Sequence, residues 1–305
     1  MYDIIGDVHG HARLLKKMLV QLGYTLSGNS YSHPKRKAVF VGDFINRGPK
    51  IRETLHIIKD MVDNGFAYAI LGNHEINAII YGLKNKSGGR LVPQLSRGSL
   101  SLIKTLQEFQ TKQDEWDYFL KWFRTLPLFL ELGPIRVVHA CWMDTNLEVI
   151  SKLYVEGRIK KKTFTEIYKK PESESGRAIW QTTKGINLSL PRDLKVKNNK
   201  GVEIRTFRAK WWENPVGQTF RSLSFDNKGL LPKYTVPPQI IPTFESYSEE
   251  APIVFVGHYC KPLGPHILKP NVCCIDSCVA GSKTLTAYTW NGEKAVDPKN
   301  LIIVY

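Results

Sequence analysis

The chain has 305 residues, a formal net charge of +15, 42% hydrophobic residues and 23% charged ones. This is the balance of a soluble globular protein with ample length for a core. No apolar run is long enough for a membrane-spanning helix, and the start, MYDIIGD, lacks a basic-then-apolar leader pattern, so a cytoplasmic protein with no membrane partner is expected.

The basic excess favours anionic partners: phosphate esters, nucleotides, RNA or acidic proteins. Much of it is diffuse, in stretches such as Lys160-Lys161-Lys162 and Lys195 to Lys200, so a dedicated nucleic-acid partner is not favoured. The five cysteines, Cys141, Cys260, Cys273, Cys274 and Cys278, are odd in number and form no CxxC pair. They read mostly as small apolar core residues rather than a disulfide framework or a zinc knuckle.

Residues 2–6 form the first predicted strand. In HARLLKKMLVQL (11–22) leucine and methionine recur at helical spacing, and Gly23 suits the helix end. A strand at 37–42 follows, then a helix with Pro49 in its first turn that runs to about 64–65, then a strand at 66–71. This βαβαβ order predicts a largely parallel sheet with functional groups at the carboxyl ends of its strands. Helices are predicted at 99–110 and 114–125, with Trp116, Phe119, Trp122 and Phe123 facing the core. LPLFLEL and PIRVVHA read as two strands joined by Gly133-Pro134. Residues 150–250 are rich in lysine, serine and proline and least readable. PPQIIPTFESYSEEAP looks like a surface loop. Strands return in IVFVGH (253–258), NVCCID (271–276) and TLTAYTW (284–290). Because a strand again ends in Gly-His at 257–258, the chain is expected to rejoin the first sheet, giving one domain, 1–305, with an insertion at about 150–250.

Polar residues gather just after apolar runs: Asp7, His9, Asp43, Asn73, His74, His139 and His258. A lone Asp there reads as a helix cap and a lone His as a bonded core residue. Six or seven along one sheet edge are harder to explain so. Buried carboxylates need a counter-charge, which a divalent metal supplies. Mixed Asp, His and Asn donors suit Mn²⁺, Fe or Zn²⁺ rather than calcium.

GDVHG (6–10), GDFINRG (42–48) and GNHE (72–75) resemble the three-part signature of the calcineurin-like metallophosphoesterases, and within them the phosphoprotein-phosphatase branch with its bacterial diadenosine-tetraphosphate hydrolases. LGYT (22–25), NRGP (46–49), VFVGH and CIDSC look closest to the bacterial members. The resemblance is strong over 1–80, fair at 126–142 and 253–290, and absent at 150–250. It implies an α/β fold: a four-layer β-sandwich flanked by helices, with the active site at the carboxyl ends of the strands. It implies two divalent metal ions, Mn²⁺ first, with Fe, Zn, Ni or Mg as alternatives. Asp7 and His9 would hold one metal, Asp43 would bridge both, and Asn73, His139 and His258 would hold the other. Arg47 would clamp phosphoryl oxygens, a metal-bound hydroxide would attack phosphorus, and His74 would protonate the leaving group.

Two departures from the family pattern stand out. Asn46 occupies the place of an Asp expected to orient the catalytic His, so Asn46 joins His74 and Arg47 as a catalytic candidate. Cys260, in GHYC, replaces a His found in many metallophosphoesterases, and a thiolate ligand there is an alternative. RTFRAKWW (205–212) reads first as a strand whose tryptophans enter the core; the alternative is a substrate wall using Arg208, with Lys184 and the weaker Arg177 as further substrate-binding candidates. The leading expectation is a metal-dependent phosphatase or phosphohydrolase, serine/threonine-phosphatase-like or bis(5'-nucleosyl)-tetraphosphatase-like, acting on a phosphate-ester or nucleotide substrate. The alternatives are an RNA-end or capped-RNA phosphohydrolase and a non-catalytic, metal-bearing scaffold. Oligomeric state is not legible.

Overall fold

The computed structural model describes residues 1–305 except 86, 94–99, 199–200, 226–229, 241–245 and 261–265. The expected helix start at 99 and part of the expected loop at 237–252 lie outside the described residues.

Ten strands build two sheets: β1 (Tyr2–Ile5), β2 (Lys37–Phe40), β3 (Ala67–Ala69), β4 (Phe129–Glu131), β5 (Ile135–Val138), β6 (Ile253–Val256), β7 (His266–Lys269), β8 (Val272–Cys274), β9 (Leu285–Trp290) and β10 (Leu301–Val304). The first sheet has the order β10-β9-β1-β2-β3, and the second β7-β8-β6-β5-β4. In each, three neighbouring strands are parallel and the other two pairings are antiparallel. Among the described residues, the helices of six or more residues are α1 (Ala12–Gln21), α2 (Ile51–Asp63), α3 (Asn73–Tyr81), α4 (Ile103–Glu108), α5 (Gln113–Phe123), α6 (Asp144–Ser151), α7 (Lys161–Lys169) and α8 (Glu174–Lys184).

The pleat explains the layering. Alternate residues of a strand face opposite sides, so both faces of these short strands must be apolar once covered twice. Ile4, Val39 and Val41 from the first sheet meet Ile135, Val137 and Phe255 from the second in one buried cluster between the sheets. Ile5, Ala38 and Phe40, one residue out of step, belong to the larger cluster on the other side, where α1 and α2 pack on the first sheet. Trp116, Phe119, Trp122 and Phe123 of α5 are buried as expected.

The structure corrects two expectations. The strand at 253–256 does not rejoin the first sheet; it pairs with β5 and β8 at the centre of the second. Its apolar, β-branched run suits any central parallel strand, so composition carries no sheet address. Among the described residues, only β9 and β10 bring the chain back to the first sheet. Pro49 precedes α2 rather than starting it; Lys50 is the cap residue. The segment beyond 150 holds α7, α8 and hairpins at Asn187–Ser189 with Thr206–Arg208 and Val196–Lys197 with Glu203–Ile204. Its Trp211 and Trp212 are fully buried, edge-on to Tyr247 and to Tyr259. The two tryptophans are therefore core, as the first reading had it, but they lie in a turn beyond the strand rather than on it.

Candidate metal centre

Strands β1, β2, β3, β5 and β6 end on one edge, and each is followed within a few residues by a polar side chain. Asp43 lies at the middle of the group. Its Oδ2 stands 3.6 Å from His9 Nε2, and its Oδ1 stands 3.5 Å from His139 Nε2. One carboxylate thus offers an oxygen to each side. The ring nitrogens turned away make backbone bonds: His9 Nδ1 to the Ile45 carbonyl at 2.9 Å and His139 Nδ1 to the Val41 carbonyl at 2.7 Å. A proton on each Nδ1 leaves each Nε2 bare, the state in which imidazole binds a metal.

Asn73 Oδ1 is 2.9 Å from His258 Nδ1 and 3.3 Å from His139 Nε2. Two ligands at right angles on one cation, with bonds of ~2.1 Å, stand ~3.0 Å apart. Asp7 is held differently: its carboxylate accepts from the His258 backbone N–H at 3.1 Å. Among the described residues two triads of possible donors converge: His9, Asp43 and His74, and Asp7, Asp43 and His139. Burial, followed by the neighbouring Asp276 carboxylate, pushes Asp7 well above the usual carboxylate range. Buried carboxylates that raise one another in this way fit a resident cation, and oxygen and imidazole donors fit a divalent one.

The backbone is strained at this edge. His9, Asp43, Asn46, Arg47 and His258 have φ of +44°, +54°, +71°, +59° and +62°. Such residues cost roughly 1–3 kcal/mol each and persist only where the surroundings enforce them. Glu75 is one enforcer. It is fully buried in the first turn of α3, and its carboxylate accepts from the N–H groups of Gly72, Asp43, Phe44 and Ile45 at 2.9–3.3 Å. Gly42 turns the chain at φ +100°. At Gly72 a Cβ would overlap Asp43 Oδ1, so glycine is required for the Asp43 carboxylate to fit.

His74 opens α3, with its Nε2 3.8 Å from Asp43 Oδ2 and 3.5 Å from Arg47 Nη2. Its Nδ1 meets the Asn46 amide at 2.5 Å. Burial, more than the nearby Arg47 charge, lowers the pKa of His74. Arg47 is exposed on the rim.

The segment beyond 150 also reaches this edge. Lys184 ends α8 with its Nζ 3.6 Å from the Trp180 ring centroid; burial pushes it down to about 8, with the Asp43 charge partly opposing the shift. The Arg208 guanidinium lies 5.5 Å from the Tyr259 ring, and its charge acts on His258. Arg177 is not brought in. It is exposed, and its guanidinium bonds the Glu172 carbonyl at 2.6 Å. Cys260 is no free thiolate: it pairs with Cys278 in a disulfide, while Cys141, Cys273 and Cys274 are free and buried. The reading of the cysteines as core residues fails for that pair, because two loops distant in sequence meet beside His258 and Asp276.

Three residues escaped the sequence reading as site residues. Asp276, buried next to Asp7, also follows an apolar strand and carried the same signal as its neighbours. Glu75 stands in GNHE, where its backbone role is invisible. Thr105, which binds Asn46, left no signal at all.

A family model for calcineurin-like phosphoesterases matches residues 2–262. The chain belongs to the calcineurin-like phosphoesterases. Family and side-chain cluster together indicate divalent metal ions. Among related calcineurin-like phosphoesterases, the asymmetrical bis(5'-nucleosyl)-tetraphosphatase PrpE of Oceanobacillus iheyensis is 30% identical over 139 residues, 45% of this chain and 54% of its own. The chain thus spans about half the length of that relative. The symmetrical bis(5'-nucleosyl)-tetraphosphatase of Aromatoleum aromaticum is 27% identical over 93% of this chain and 91% of its own. A protein serine/threonine phosphatase from Saccharomyces cerevisiae superposes with a TM-score of 0.50 at 14% identity, over 99% of this chain and 78% of its own. That likeness bears on the fold alone. No helix among the described residues is long and apolar enough to cross a membrane.

Proposed function

We propose that the chain is a metal-dependent phosphohydrolase with two divalent cations, Mn²⁺ first, and that it cleaves phosphoanhydrides of the dinucleoside-oligophosphate class in preference to alkyl phosphate esters. The carrying observation is the Asp43 carboxylate, which gives one oxygen to the side of His9 and the other to the side of His139. Asp7 and His9 would hold one cation, and Asn73, His139 and His258 the other. Bound divalent cations supply the charge that acidifies a water and neutralises phosphoryl oxygens.

The chain's own residues have separate tasks. Arg47 stands beside His74 on the rim, where its guanidinium fork can grip a phosphoryl group. Lys184 and Arg208 add charge from the side of the 150–250 segment and suit the further phosphates of an oligophosphate chain. His74 carries a proton toward the leaving oxygen. We also read the chain as one domain with an insertion, since the core cluster includes Ile179, Trp211 and Trp212 together with Leu15 and Val254.

The substrate preference draws on the names of the two tetraphosphatases and on Asn46, argued below. It is tested by turnover with added Mn²⁺ of bis(5'-adenosyl) tetraphosphate, p-nitrophenyl phosphate, a phosphoserine peptide and capped RNA, side by side. The tetraphosphate should have the highest kcat/KM. A higher value for the phosphopeptide or capped RNA would overturn the preference, and no turnover of any would overturn the enzymatic reading.

A further inference from the structure

A second cleft lies away from the metal centre, between the end of α3, α5 and the start of α7. Its volume is about 490 Å³, within the range of small-ligand sites. Ile79, Leu83 and Leu120 give it an apolar floor. Gly82 keeps that floor tight, since a Cβ there would come within 2.7 Å of Leu120 Cδ1. Lys84, Lys121, Arg124, Lys161 and Lys162 line it against a single carboxylate, Asp117. Lys162 has a distant partner in Glu166 at 3.7 Å. Lys84, Lys121, Arg124 and Lys161 have no carboxylate partner among the described residues. Arg124 is half-buried, and both burial and the neighbouring Arg158 charge weigh against its cation. A desolvated guanidinium facing like charges is a poor way to stabilise a fold and a good way to hold an anion.

We propose that this cleft binds a nucleoside oligophosphate, its apolar ring on Ile79, Leu83 and Leu120 and its phosphates among Lys121, Arg124 and Lys161. The geometry argues for both halves: a bare phosphate chain would leave the apolar floor unused, and an uncharged nucleoside would leave the cations unpaired. The site is distinct from the metal centre. α3 carries Asn73 and His74 at its first turn and reaches the cleft at its last; its nine residues span roughly 13 Å. Lys161 and Lys162 come from the 150–250 segment, so the cleft exists only where that segment folds back on α3 and α5.

Calorimetric titration of the full chain, stripped of metal with a chelator, tests the proposal without recruitment of phosphate by the metal centre. ATP, tripolyphosphate and adenosine are the probes. ATP should bind best, tripolyphosphate more weakly and adenosine not measurably. The exposed double variant K121E/K161E should weaken ATP at least tenfold while p-nitrophenyl phosphate turnover by the Mn²⁺-loaded protein stays unchanged. R124Q, which adds no negative charge, should weaken it several-fold. ATP affinity unaltered in both variants, or no ATP binding to the metal-free protein, would overturn the site. Tripolyphosphate binding as tightly as ATP would overturn the nucleoside half of the assignment.

Discussion

The Nδ2 of Asn46 lies 2.5 Å from the Nδ1 of His74. The hydroxyl of Thr105 donates to Asn46 Oδ1 at 2.5 Å, which turns the amide nitrogen toward the imidazole. Asn46 therefore donates to His74, and the proton of a neutral His74 sits on Nε2. An aspartate in this place would accept instead, and its charge would favour imidazolium. The present arrangement gives weak acid assistance, which costs most where the leaving oxygen is basic. Asn46→Asp should raise turnover of an alkyl phosphate roughly tenfold more than that of p-nitrophenyl phosphate. Burial lowers the His74 pKa and an added carboxylate raises it, so the protonated fraction, and the pH optimum, should move upward. A uniform effect on both substrates would exclude Asn46 from proton transfer.

Asp43 and His74 should separate by metal content. Asp43→Asn removes the carboxylate that lies between His9 and His139 and should lose bound metal and activity together. His74→Asn should retain metal and lose about 10²-fold or more in kcat. Elemental analysis of the purified variants, set beside their kcat, decides; equal metal loss in both would refute the division.

Lys184 makes substrate affinity depend on pH. Burial pushes it down to about 8, so it is charged below that pH and neutral above it. KM for an anionic substrate should rise as pH passes through 8, with kcat less affected. Lys184→Arg keeps its charge at every such pH and should flatten the KM profile. A KM profile identical in the variant would show that Lys184 does not meet substrate.

Burial, then the Asp43 charge, pushes Glu75 up to about 7, so above that pH Glu75→Gln should destabilise the fold by about 3 kcal/mol, because an acceptor-only carboxylate facing four backbone N–H groups becomes partly a donor. Urea unfolding reads the loss. A change under 1 kcal/mol would mean that the strained turn at 42–47 is held by something else.

The Cys260–Cys278 disulfide predicts a thiol count. The unfolded, unreduced protein should titrate three thiols, from Cys141, Cys273 and Cys274, and the reduced protein five. Cys260→Ser should cost about 3 kcal/mol in stability, given the separation of 18 residues. Five reactive thiols without reductant would show that the pair is not bonded.

The candidate donor residues stand out in the sequence because a strand that enters a sheet edge must announce its end. Val39-Phe40-Val41 stops at Gly42-Asp43, and the same grammar marks Asp7, Asn73, His139 and His258. Short-range pattern carries that information, since strand period, glycine and a following polar group are all local. The sheet to which β6 belongs was not local, nor was the meeting of Cys260 with Cys278, because an apolar strand suits any parallel neighbour and a disulfide depends on where two loops end. The 150–250 segment was opaque for the same reason. Its short strands and helices have weak patterns of their own, and only tertiary packing buries Trp211 and Trp212 against Tyr247 and Tyr259 and, through α8 on α6, brings Lys184 near the Asp43 carboxylate. Thr105 and Glu75 were decided by tertiary structure alone. Their partners are the backbone N–H groups of 43–46 and 72 and the Asn46 side chain, and the need for a hydrogen bond there arises only once the turn is folded and out of water.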